Sequence, residues 1–85
     1  EMHYEIGRQY ALAGMLDAAI TEFRKAVSSD PKISHAVYAL GLMYEEKGAV
    51  DLAEKQYKKV LEINPKDSNA QEKLKQIQNE KRSSH

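Results

Sequence analysis

Ser34-His-Ala-Val-Tyr-Ala-Leu-Gly-Leu-Met-Tyr-Glu-Glu-Lys-Gly48 is the stretch on which the fold turns. Val37, Leu40, Gly41 and Tyr44 fall at i, i+3, i+4 and i+7, one face of an amphipathic helix. Ala36, Tyr38, Ala39, Leu42 and Met43 make its other faces apolar as well. A helix apolar nearly all round must be covered on most sides, or it offers part of itself to a partner. The stretch therefore reads as a central helix between a neighbour before it and one after it. Its remaining face is the expected functional surface.

The rest of the chain supplies those neighbours by repetition. Shifting the sequence by 34 residues lays Tyr4 on Tyr38, Gly7 on Gly41, Tyr10 on Tyr44 and Gly14 on Gly48. The match continues with Asp17 on Asp51, Ala19 on Ala53, Lys25 on Lys59 and Pro31 on Pro65. Ile6/Leu40, Phe23/Tyr57, Ala26/Val60 and Val27/Leu61 match in kind, and a third copy begins with Ala36/Ala70 and Leu40/Leu74 before fading. A fixed period of this length signals a repeat architecture. The predicted division is one domain over 1–85: repeat 1 at 1–33, repeat 2 at 34–67, a capping helix at 68–81 and a frayed tail at 82–85.

Each copy reads as two helices. The first, from Met2 to about Ala13, carries Ile6, Gly7, Tyr10 and Ala13 on one face, and Gly14 supplies the left-handed residue that ends it. Asp17 opens the next helix as cap or first-turn acid. Ala19, Ile20, Phe23, Ala26 and Val27 form its buried stripe, and Asp30-Pro31 stops it. In the second copy Ser34 reads as an N-cap and Asp51 with Glu54 as a capping box; Ala53, Tyr57, Val60 and Leu61 form the stripe. Ser68 with Gln71 reads as another capping box, opening a helix whose narrow stripe is Ala70, Leu74 and Ile77. Such a helix covers one edge and faces water otherwise, as a terminal cap does. Gly7 and Gly41 each cost about 1 kcal/mol relative to alanine inside a helix. With Ala19 and Ala53 they would allow two helices to approach closely, Tyr10/Tyr44 and Phe23/Tyr57 filling the space beside the contact.

These residues resemble the tetratricopeptide repeat, whose signature is Trp-x2-Leu-Gly-x2-Tyr, then Ala-x3-Phe, then Pro, at a period of about 34. The first copy reads His3-x2-Ile6-Gly7-x2-Tyr10, Ala19-x3-Phe23 and Pro31. The second reads Val37-x2-Leu40-Gly41-x2-Tyr44, Ala53-x3-Tyr57 and Pro65. The tryptophan position is replaced in both. The resemblance implies an all-α, right-handed solenoid of two antiparallel helix pairs plus a solvating helix, used to hold other proteins. It further implies that the first helix of each pair lines a concave groove. The matching positions are Tyr4, Glu5, Arg8 and Leu12, then His35, Tyr38, Ala39, Leu42 and Glu45, with Asn69, Glu72, Lys73 and Gln76 from the capping helix. Tyr4, Tyr38 and Leu42 would form an apolar strip with polar flanks, suited to an apolar side chain on a peptide or helix of a partner protein. One subclass of the family grips the carboxylate tail of heat-shock chaperones. Its clamp positions here are Tyr4, Arg8, Ala39, Asn69 and Lys73; only Asn69 and Lys73 keep the donor, Arg8 is a substitution that could donate, and the clamp spans three repeats, which argues against that use.

Composition removes other classes of function. Thirteen basic and thirteen acidic residues cancel and are mixed along the chain, so no basic stripe for a phosphate backbone exists and nucleic acid is not expected. No apolar run approaches the ~18 residues of a membrane span. The absence of cysteine excludes disulfides and thiol chemistry and is compatible with a reducing compartment such as cytoplasm. His3 and His35 have no second ligand at i+3 or i+4, so no metal is expected, and Glu45-Glu46 beside Lys47 reads as a solvated helix end. No phosphate-cradling loop or nucleophile elbow occurs, so neither cofactor nor catalysis is expected. The chain opens on Glu1 already inside a helical pattern, as a segment of something longer would. Eighty-five residues bury only ~60–65% of their unfolded surface, and repeat arrays usually need about three units. Self-association, or a place within a longer scaffold, is therefore the alternative role.

Overall fold

A computed structural model describes residues 2–83. Five helices follow one another: α1 (Met2–Leu12), α2 (Leu16–Ser29), α3 (Ser34–Glu46), α4 (Val50–Ile63) and α5 (Ser68–Ser83). Each packs on the next in sequence, so α3 lies against both α2 and α4 as its all-round apolar character requires. No strand occurs among the described residues.

The turns repeat as closely as the sequence does. Gly14 and Gly48 have φ of 78° and 81° and end α1 and α3 in the same pattern. Met15 N donates to Tyr10 O and Gly14 N to Ala11 O; Ala49 N donates to Tyr44 O and Gly48 N to Glu45 O. Both pairs form the two-bond glycine terminus that satisfies the last helical carbonyls. At the other end, Asp30 and Asn64 are extended, as residues before proline prefer to be, and their side chains accept from Lys32 N and Lys66 N.

The expected caps fare differently. Ile33 N donates to Asp30 O and closes the turn one residue early, so Ile33 and not Ser34 stands at the cap, without a side-chain bond. Ala49 takes the same place before α4, and Asp51 and Glu54 both turn to Lys81 instead of forming a capping box. Before α5 the cap is Asp67, which accepts from Ala70 N at 3.0 Å; Gln71 donates to Pro65 O, and Ser68 caps nothing. Asp17 serves as first-turn acid of α2. The last helix runs two residues beyond the expected Lys81, so Arg82 and Ser83 are helical; Ser84 and His85 of the expected tail lie outside the described residues.

The helical glycines receive rings. A methyl group on Gly7 would stand 2.7 Å from the Phe23 ring, and one on Gly41 would stand 2.6 Å from that of Tyr57. The rings thus lie on the glycines themselves rather than beside the contact, while Tyr10 and Tyr44 are only half-buried. Ala19, Phe23, Ala26, Ala53, Tyr57 and Val60 are fully buried, and burial of a side chain such as Phe23 stabilises by ~1.5–3 kcal/mol. The α1 face expected to be buried is buried only at Gly7; Ile6 is 37% exposed, whereas its counterpart Leu40 is 4% exposed under α2. At the other end, Gln71, Lys75 and Gln78 replace Val37, Gly41 and Tyr44, so α5 presents polar groups where a further helix would pack.

Candidate protein-interaction surface

The first helices of the units share one side of the molecule, and the two junctions along it differ. Between α1 and α3, Tyr4, Arg8, Leu12, Ala39 and Leu42 line one cleft together with Ala11, Phe23 and Met43. Its volume is ≈ 210 Å³, below the ~300 Å³ at which small-molecule sites begin and suited to one or two side chains. Tyr4 forms one wall, its ring 5.8 Å from that of Phe23 and 4.5 Å, edge-on, from His35. Leu12 is 79% exposed at the rim, and Arg8 leans on Glu5 at 3.4 Å.

Between α3 and α5 the corresponding space is occupied. Lys73 pairs with Glu45 at 3.3 Å, and the Tyr57 hydroxyl donates to the same carboxylate. Burial, helped by that carboxylate, pushes the Tyr57 phenol well above its ordinary range. Tyr38 rests on the Tyr57 ring at a centroid distance of 5.5 Å. Lys73, committed to Glu45, is not free to hold a partner's carboxylate, and Asn69 is exposed outside the cleft.

Of the residues expected in the groove, Tyr4, Arg8, Leu12, Ala39 and Leu42 meet in the cleft, His35 buttresses its wall, and Tyr38, Glu45 and Lys73 belong to the filled junction. Ala11, Phe23 and Met43 were not expected there. Ala11 was within reach: it is Glu45 moved back by one period, and the groove assignment included Glu45 without it.

The back of the molecule is laced by ion pairs with the same period. Lys47 pairs with Asp17, and Lys81 with Asp51 and Glu54 at 2.9 Å each. The Asp51 and Glu54 carboxylates raise the Lys81 ammonium above its ordinary value. His3 Nδ1 stands 2.8 Å from Glu22, and that bond, with Lys25 beside it, holds the Glu22 carboxyl below the usual range. Among the described residues no group of three or more His, Cys, Asp or Glu is placed to hold a metal ion, and no helix is long and apolar enough to cross a membrane.

The sequence profile of the tetratricopeptide repeat matches residues 10–77. The chain belongs to the tetratricopeptide repeat family. Members of this family are typically non-catalytic scaffolds for protein–protein interaction. The crystal structure of MamA superposes with a TM-score of 0.90 at 26% identity, covering 93% of this chain and 46% of that one. This chain thus spans about half of MamA's length. A tetratricopeptide repeat domain protein from Salinibacter ruber superposes with a TM-score of 0.68 at 24% identity, over 94% of this chain and 88% of that one, a likeness of fold. Comparison with curated proteins yields no match.

Proposed function

We propose that this tetratricopeptide repeat unit holds a partner protein by taking an apolar side chain of its peptide or helix into the cleft between α1 and α3. The observation that carries this reading is the cleft itself, whose walls are Tyr4, Leu42 and Met43 and whose rim is the exposed Leu12. An apolar anchor entering it would cover surface that water now touches, with Arg8 and Glu5 as a polar rim. Leu42→Glu places a charge in the cleft at a half-exposed position and spares the buried core. Peptides selected from a displayed library against the parent chain should share a large apolar residue. They should lose binding to Leu42→Glu while its helicity is unchanged. Selected peptides that lack such a residue, or that bind the variant equally, would overturn the reading.

A structural role is the second reading, favoured by one observation. Met2 is 73% exposed and Ile6 37%, yet their counterparts Ala36 and Leu40 are buried, Leu40 among the core residues of α2. A helix laid on this side of α1 would repeat the α2–α3 contact, whether it came from a longer array or from a second copy. Molar mass by light scattering across a concentration series separates the two: a constant monomer mass argues against self-association, and a mass that rises with concentration supports it.

A further inference from the structure

Gln56 is 7% exposed and lines a groove of ≈ 430 Å³ between α2 and α4, on a different face of α3 from the cleft. No group among the described residues hydrogen-bonds its amide, whose atoms remain open to solvent. An amide bonded only to water can exchange that water for a ligand's peptide group. The first repeat shows how such a position can be satisfied. There the counterpart, Glu22, meets His3 at 2.8 Å and Lys25 at 3.4 Å. In the second repeat the residue matching His3 is Val37, which has nothing to offer, and the amide is left facing the groove.

The charges around it are unpaired as well. Arg24 and Lys59 line the groove, neither pairs with a carboxylate among the described residues, and no carboxylate lines it. The sequence is neutral overall, but the pairing is uneven. Asp17, Glu22, Asp51 and Glu54 are met by Lys47, His3 with Lys25, and Lys81. On α2 and α4 this leaves Arg24, Lys55, Lys58 and Lys59 against Glu62 alone. Val27, Leu40, Tyr44 and the half-exposed Leu52 give the groove apolar walls. Past Arg24 and Ser28 it continues into a second hollow of ≈ 470 Å³ along Thr21, Lys25 and Ser29, again lined by no carboxylate.

We propose that this groove takes an acidic, extended segment of a partner polypeptide, with a carboxylate between Arg24 and Lys59 and the segment's main chain hydrogen-bonded to the Gln56 amide. An amide side chain offers both a donor and an acceptor, which fits one peptide unit. The cations supply charge complementarity, and the apolar walls accommodate a neighbouring aliphatic side chain. The surface is separate from the cleft between α1 and α3, so either can fail without the other.

The test is a titration of the isotope-labelled chain with a synthetic peptide of alternating Glu and Leu, followed by amide chemical shifts. A Gln–Leu peptide and a single-stranded oligonucleotide run alongside. Saturable shifts at Val27, Ser28, Gln56 and Lys59 are expected with the Glu–Leu peptide only. Lys59→Glu should weaken binding by about tenfold. Gln56→Leu is the decisive variant: it should weaken binding with helicity unchanged, because the segment's main chain loses the amide that bonds it. Shifts confined to the cleft of Tyr4 and Leu42, shifts spread evenly over all lysines, or an equal response to the oligonucleotide would overturn the proposal. So would the absence of shifts at millimolar peptide, or parent-like binding by Gln56→Leu.

Discussion

The two junctions on the groove side are built from the same positions of the repeat and reach opposite ends. In the first, Ala11 and Ala39 are small, Phe23 has no hydroxyl, and an apolar cleft stays open. In the second, one period on, Ala11 becomes Glu45, Ala39 becomes Lys73 and Phe23 becomes Tyr57, and the Glu45 carboxylate takes both the Lys73 ammonium and the Tyr57 hydroxyl. The substitutions make sense only together. Glu45 placed against Phe23 would lack a donor, and Tyr57 against an alanine would leave a hydroxyl unpaired in the core. The lesson is that a solenoid can keep its geometry while leaving one junction open and closing the next.

The largest expected effect tests the geometry common to both junctions. Gly41→Leu and Gly7→Leu drive a side chain into the ring lying on each glycine and should destabilise by ~1–3 kcal/mol. Gly41→Leu should be the worse, because Tyr57 is held by Glu45 and Tyr38 whereas Phe23 borders an open cleft into which it can turn. Urea denaturation of both variants checks the order, and equal midpoints would mean that the filled junction is no stiffer than the open one.

Tyr57→Phe converts one element of the closed junction to the open kind and should cost about 1 kcal/mol at neutral pH through the lost hydrogen bond. The pH dependence carries a sign. The Tyr57 phenol is raised when folded, so the unfolded chain gives up this proton first, at about pH 10. The stability it contributes is complete below that pH and is lost as the pH rises above it. The advantage of parent over Tyr57→Phe should therefore shrink on the alkaline side, as read from melting temperatures across the range. A gap that stays constant above pH 10 would separate the phenol from the junction.

The smallest effect belongs to the back of the molecule, where the two units are alike. Lys47→Met removes one surface ion pair and Lys81→Met removes two, and each should lower stability only slightly. Lys81→Met should cost the more, since two carboxylates converge on that ammonium. Thermal melts at low and high salt check this, because screening should bring both variants towards the parent.

Much of this could be read before any coordinates. The period, the helix pairs, the terminal glycines and the proline stops are local or recur at a fixed spacing, so counting along the chain finds them. The caps were misplaced by a residue because Ser34 and Ser68 fit the composition of a cap, while the turn before each helix decides where its first free N–H falls. Tyr4, Arg8, Leu12, Ala39 and Leu42, assigned to one groove through the family resemblance, do line one cleft, whereas Asn69 lies outside it because the capping helix meets only one neighbour.

The repeat, the solenoid of helix pairs and the places of the helical glycines were all present in the order of the residues. These depend on spacing along one chain and on the sizes of the residues themselves. The packing of the helices was needed to bring Glu45 to Lys73 and Tyr57, to gather Asp51 and Glu54 on Lys81, and to leave Gln56 without a partner among the described residues. A long polar side chain chooses among groups brought near by three or four different helices. That choice is set by distances between helices, and no period in the sequence encodes it.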